Sequence, residues 1–131
     1  MSDSIFTKIL NGQVPSYRLY EDDECIIILD IRPIQPGHSL VIPKKQIEFI
    51  WDVDKDLYKH LWKVARKFAL HQRKVLASKR VSVIVDGESV PHVHIQLIPT
   101  NGADDLDASR PDGEPDHDSL RAMAAKLKYV E

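Results

Sequence analysis

The sequence predicts an α+β fold: a five-stranded, mainly antiparallel sheet with one long helix packed on it, a short helix before it and a third helix at the carboxy terminus. Three observations carry this reading. Apolar residues recur at three- and four-residue intervals after Asp54, short apolar runs bounded by Pro, Gly and Asp recur elsewhere, and the two patterns follow the order helix, strands, helix, strands, helix.

Residues 4–11 read as the opening helix, with Ile5 and Ile9, joined by Phe6, on an apolar stripe and Asn11-Gly12 as its stop. After extended chain at Val14-Pro15, the segments 18–20 and 25–29 read as a hairpin turned at Glu21-Asp22-Asp23. Pro33, Pro36 and Gly37 break the chain before a third strand, His38 to Ile42, which Pro43 ends. Asp54 is placed to cap the long helix, whose face of Leu57, Leu61, Val64/Ala65, Phe68 and Val75/Leu76 needs a sheet to cover. Val81 to Val85 and His92 to Ile98 complete the sheet as an antiparallel pair joined by Asp86-Gly87-Glu88-Ser89. The stretch 100–118 is rich in Asp, Gly, Pro and Ser and reads as a surface loop, and a terminal helix follows over about 119–129. Trp51 and Trp62 read as packing aromatics.

With 131 residues, the chain fits a single domain, 1–131. The absence of any apolar run near the ~20 residues a membrane span needs argues against insertion, and the amino terminus lacks the basic segment of a secretory signal, so a cytoplasmic location is expected. A formal net charge of −2 offers no broad attraction to a nucleic-acid polymer. Cys25, the sole cysteine, precedes an apolar run and reads as a small buried thiol.

The chemistry concentrates in Pro91-His92-Val93-His94-Ile95-Gln96-Leu97. Side chains alternate along a strand, so His92, His94 and Gln96 share one face at a spacing of roughly 6.6 Å while Val93, Ile95 and Leu97 share the other. A neutral imidazole is a nucleophile toward phosphorus near neutral pH, and phosphoryl or nucleotidyl transfer asks for little beyond in-line placement and donors to the oxygens. Two plainer readings remain open from these residues alone: two surface histidines alternating on an edge strand, or two ligands of a zinc site that lacks its other ligands.

The string His92-Val93-His94-Ile95-Gln96-Leu97-Ile98 resembles the histidine-triad signature of alternating histidines and apolar residues, with Gln96 in place of the third histidine. Three more blocks are similar to that family and occur in its order: residues 4–9, the turn Leu29-Asp30-Ile31-Arg32-Pro33, and the segment 36–44 containing His38. The resemblance is to the Hint-like nucleotide hydrolases. It implies a homodimer through the long helix and a nearby strand, acting on a purine nucleotide or nucleotide conjugate. It also implies that His94 is the nucleophile, that His92 orients the site, that His38 supports it, and that Gln96 faces the phosphate and leaving group. Asp30 would hold the ribose hydroxyls, Ser89 would lie near the phosphate, and Ile5, Phe6, Ile9, Ile28, Leu29 and Ile31 would wall the base pocket, although each of these apolar residues is equally explained as core. Bacterial relatives of this type bind zinc through a Cys pair and a histidine; here those places hold Ser4, Thr7 and Gln46, so neither metal nor cofactor is expected. Gln96 cannot act as a general acid as an imidazolium can, which leaves two further readings, transfer to an acceptor other than water and a weakly active nucleotide-binding interaction protein.

Overall fold

In the computed structural model, which describes residues 2–130, the elements run α1 (Ile5–Leu10), β1 (Arg18–Glu21), β2 (Cys25–Leu29), β3 (Ser39–Pro43), α2 (Lys55–Leu76), β4 (Arg80–Ile84), β5 (Ile95–Thr100) and α3 (His117–Leu127). Short 3₁₀ turns occupy Ile50–Asp52 and Asp105–Asp107. The five strands form one sheet in the order β1-β2-β3-β5-β4, and all four pairings among the described residues are antiparallel. This is the α+β architecture that the sequence predicts.

Local chemistry sets the helix boundaries. The Ser4 hydroxyl accepts the Thr7 N–H at 3.0 Å and caps α1, and the Asp54 carboxylate accepts the Leu57 N–H at 3.1 Å and caps α2. α3 starts two residues earlier than the spacing predicts, because the Asp116 carboxylate accepts the Ser119 N–H and takes the cap position. It also ends earlier, since the Tyr129 N–H turns back to the Leu19 carbonyl at 2.8 Å.

The sheet separates two apolar layers. On one face Leu57, Leu61, Val64, Ala65 and Phe68 of α2, with Leu120 and Leu127 of α3, pack on Cys25, Ile27, Val41, Val93, Ile95 and Leu97. On the other, Phe6 and Ile9 of α1 pack on Ile26, Ile28, Leu40 and Ile42. Strands β2 and β3 are therefore covered on both sides, which explains their continuous rather than alternating hydrophobicity. Leu61 and Phe68 are fully buried, and truncating either to Ala costs roughly 2–5 kcal/mol.

Several boundaries differ from the sequence reading. The final strand begins at Ile95 rather than His92, and the fourth ends at Ile84, so residues 85–94 form a longer connection than the four-residue link expected. The cause is competition for the backbone: the Val93 N–H bonds the Ile47 carbonyl at 2.8 Å, so the segment leaves the β4 ladder after Gln96 pairs with Ile84. Trp51 is 81% exposed and is not a packing aromatic, whereas Trp62 packs against the α2 core. No helix among the described residues is long and apolar enough to cross a membrane.

Candidate active site

The two histidines ahead of β5 owe their orientation to carbonyl groups. A carbonyl can only accept, so the 2.8 Å contact from the His92 ring to the Pro43 oxygen places the proton on Nε2 and leaves Nδ1 to accept from the Ser4 hydroxyl at 2.7 Å. By the same logic His94 carries its proton on Nδ1, which donates to the His92 carbonyl at 2.8 Å and leaves the lone pair on Nε2. The Phe6 ring lies edge-on to both, with centroids 5.6 Å from His92 and 5.0 Å from His94. The face alternation read from the sequence therefore holds, although the histidines precede the strand instead of lying within it.

Behind His92 sits a polar cluster. The Thr7 hydroxyl and the Ser4 N–H both donate to the Gln46 amide oxygen, at 2.6 and 2.9 Å, while the Gln46 NH₂ donates to the Ser2 carbonyl at 2.9 Å. Burial holds the His92 imidazole below the ordinary histidine pKa despite its bond to Pro43.

His38 stands just before β3, after Gly37, whose φ of +90° is open to glycine and strained for other residues. Space reinforces the requirement, since a Cβ on Gly37 would lie 2.6 Å from Leu76 Cδ1. The buried Gln72 of α2 donates to the Gly37 carbonyl at 3.0 Å, tying this turn to the long helix. His38 Nδ1 accepts the Ile34 N–H at 3.1 Å, so its Nε2–H donates to the Gln96 oxygen at 3.0 Å. Burial lowers the His38 pKa; the nearby Asp30 carboxylate opposes this and the Arg110 guanidinium adds to it.

The residue that sequence reasoning missed is Arg110. Its guanidinium leaves the segment after β5 and reaches back to Asp30 Oδ2 and the Arg32 carbonyl, both at 2.8 Å, and to the Gln96 oxygen at 3.3 Å. Nothing in a polar, Pro-rich loop marks one arginine as the inward one. The fold decides it: Arg32 and Gln35, in the turn after β2, hold the loop by donating to the Gly113 carbonyl at 2.6 Å and the Asp105 carbonyl at 2.8 Å.

A cavity of about 400 Å³ opens between α1 and the sheet. Its lining includes His94, Gln96 and Arg110, together with Asp30, Ser89, Ile5, Phe6, Ile9, Ile28, Leu29 and Ile31. His38 and His92 are fully buried behind this wall. Phe6, Ile9, Ile28 and Leu29 are buried core residues that also face the cavity, whereas Ile5 and Ile31 are 44% and 43% exposed at its edge. Asp30 is braced by the Arg32 N–H at 2.9 Å on Oδ1 and by Arg110 on Oδ2.

A family model, the HIT domain, matches residues 11–103. The chain belongs to the HIT family. An uncharacterized HIT-like protein of Borreliella burgdorferi is 35% identical over 106 residues, 76% of each chain. Adenylylsulfatase HINT3 of Arabidopsis thaliana is 31% identical over 131 residues, covering 96% of this chain and 62% of that protein. Among solved structures, a Hit-like protein from Bartonella henselae superposes with a TM-score of 0.82 at 30% identity, covering 96% of this chain and 95% of that one. A hypothetical histidine triad nucleotide-binding protein from Sulfolobus tokodaii gives 0.81 at 26% identity, with 94% and 88% covered. A zinc-bound histidine triad family protein from Mycobacterium smegmatis gives 0.77 at 29%, with 94% and 91% covered. Arg110 lies beyond the residues the HIT domain matches.

The residues of this HIT protein do not fit zinc at the Ser4, Thr7 and Gln46 positions. Two hydroxyls and an amide are poor zinc ligands, and all three are engaged with one another or with His92. A second group, Asp22, Cys25 and His60, brings three potential ligand atoms within 4.8 Å. Its carboxylate is already engaged: Asp22 Oδ1 accepts the Glu24 and Cys25 N–H groups at 2.8 and 2.9 Å, and Oδ2 accepts from the Tyr20 hydroxyl at 2.8 Å and the His60 ring at 2.7 Å. Burial and the adjacent Asp22 push the Cys25 thiol up. Burial would raise Asp22, but hydrogen bonds from the Glu24 N–H, the Tyr20 hydroxyl, His60 and the Cys25 N–H outweigh it and hold the carboxyl at about 2.

Proposed function

We propose that this HIT protein hydrolyses a purine nucleotide derivative, of the phosphoramidate or dinucleoside polyphosphate type, at its α-phosphorus through a nucleotidyl group carried on His94. The single observation that carries the reading is the His94 tautomer: a ring fixed by the His92 carbonyl, with the Nε2 lone pair available, in the wall of a cavity that also contains Asp30. In the first step the Nε2–P bond forms as the bond from phosphorus to the leaving group breaks. In the second, water adds to phosphorus, the P–N bond breaks, the electron pair returns to Nε2, and a nucleoside monophosphate is released with the water's proton passing to solvent.

Asp30 binds the ribose hydroxyls, which its carboxylate oxygens can accept alongside their present donors. Ser89 lies near the phosphate, and the apolar wall from Ile5, Phe6, Ile9, Ile28, Leu29 and Ile31 takes the base. His92 and His38 are positioning residues, the first acting through its carbonyl on His94 and the second through its ring on Gln96. The name of the Arabidopsis relative, an adenylylsulfatase, supports chemistry at a nucleotide phosphate.

The same reading holds the chain 1–131 to be one cytoplasmic unit that needs no metal or cofactor and works as a homodimer through α2 and β4. β4 is an edge strand, and its Val83 is 48% exposed. Light scattering tests the dimer. A second reading, favoured by Gln96, replaces water by phosphate or a sugar phosphate as acceptor. Turnover in ¹⁸O-water separates the two: hydrolysis incorporates solvent oxygen into the monophosphate in a reaction abolished in His94→Ala, whereas transfer yields a new diphosphate bond when an acceptor is added. Wild-type turnover unchanged in His94→Ala contradicts both.

A further inference from the structure

We infer that Arg110 is a specificity-determining residue that binds the negative charge of the leaving group, directing this site to nucleotidyl anhydrides, whose leaving group departs as a sulfate, phosphate or carboxylate. The inference rests on the proposed function and narrows its substrate class.

A departing amine must be protonated, so phosphoramidate cleavage asks for an acid beside the leaving group, whereas an oxyanion asks for positive charge and hydrogen-bond donors. The polar groups here supply the second and not the first. The His92 Nε2–H is committed to the Pro43 carbonyl, and the His38 Nε2–H to the Gln96 oxygen, both on fully buried rings. Gln96 is an amide and has no acidic proton to give near neutral pH. Its oxygen is turned toward His38 and Arg110, which directs its NH₂ away from them. Ser89 adds a hydroxyl, and Asp30 and Asp86 add carboxylates, which accept. Arg110 adds a guanidinium that does not deprotonate, whose planar fork suits sulfate, phosphate and carboxylate oxygens.

Arg110 is held at this place rather than resting there by chance. Its loop is fixed to the turn after β2 through the Arg32 and Gln35 side chains, and its own Nη1 bridges Asp30 and the Arg32 carbonyl. It touches the group expected to hold ribose and the residue that stands where the third histidine would be, so it joins the two halves of the site. In the reaction His94 Nε2 bonds to phosphorus while the bridging P–O bond breaks. The electron pair leaves with the bridging oxygen, and Arg110 binds the resulting anion without transferring a proton.

The test compares wild type, Arg110→Lys and Arg110→Ala on adenosine 5′-phosphosulfate and on an N-alkyl adenosine 5′-phosphoramidate, reading the ratio of the two kcat/KM values. Loss of one such charge-stabilising group lowers a rate by a factor on the order of 10². The wild type should favour the anhydride, Arg110→Ala should lower the ratio by at least about thirtyfold, and Arg110→Lys should recover part of it. An equal loss on both substrates, or none, overturns the inference while leaving the hydrolase reading intact.

If wild type turns over neither substrate the hydrolase reading fails, and binding then decides the role of Arg110. In the His94→Ala background, ADP should bind more tightly than AMP, and adding Arg110→Ala should remove that advantage. No advantage, or one that survives the second substitution, overturns it.

Discussion

The Nε2–H of His38 donates to the Gln96 amide oxygen across 3.0 Å, and this one contact decides what Gln96 can present. With the oxygen also accepting from Arg110, the NH₂ is directed away from both, and an amide donates without acidity. On the proposed mechanism, in which Gln96 faces the leaving group, histidine at this position supplies a titratable ring there. Gln96→His should raise turnover of an alkyl phosphoramidate by about 10²-fold, the ordinary gain from a placed general acid. Steady-state kinetics on that substrate checks this, and an unchanged or lower rate contradicts it.

Acid should destabilise the protein through its buried histidines. Burial lowers the pKa values of His38 and His92 in the folded state, so below the ordinary histidine value the unfolded chain binds more protons than the folded one. The stability is present above about pH 6.5 and is lost as pH falls from there toward the folded-state values, by up to about a factor of ten in the folding constant per pH unit for each ring. Urea melts at pH 7.5 and 5.5 measure this, and His92→Asn should flatten the dependence. A flat wild-type profile contradicts it.

Ser4 serves two partners, capping α1 and donating to His92 Nδ1. Ser4→Ala therefore loses a cap, about 1 kcal/mol, and leaves a buried acceptor unpaired, about 1–3 kcal/mol more. Asp54→Ala loses a helix cap without touching His92. Chemical denaturation should rank the Ser4 variant as clearly less stable; equal losses would show that its contact with His92 contributes nothing.

Two glycines with positive φ should respond differently to alanine. Gly37 at φ +90° meets Leu76 and Pro99, whereas Gly113 at φ +77° has open space around its missing Cβ. Gly37→Ala should cost more than about 2 kcal/mol, combining backbone strain and overpacking, and should reduce activity by displacing His38, while Gly113→Ala costs about 1 kcal/mol from strain alone. Thermal melts of the pair check the order.

The sheet and the long helix that covers one face of it were legible because they rest on periodicity and caps that sequence states directly, from Asp54 to the stripe ending at Leu76. The wall of the cavity was legible through resemblance, since the same blocks carry Phe6, Asp30, His94 and Gln96. What escaped is long-range. The early end of the β4–β5 ladder depends on Ile47 capturing the Val93 N–H, and the role of Arg110 depends on a loop folding back over the turn after β2. Neither leaves a local pattern, because both are decided by groups tens of residues away.

Attack of His94 Nε2 on phosphorus leaves a covalent intermediate that can be trapped. Rapid-quench intact-mass analysis of the protein mixed with adenosine 5′-phosphosulfate, followed by peptide mapping, detects it. A transient adenylyl adduct is expected on the peptide containing His94, absent in His94→Ala and present in His92→Asn. Steady turnover with no adduct at any time, or an adduct that persists in His94→Ala, contradicts it.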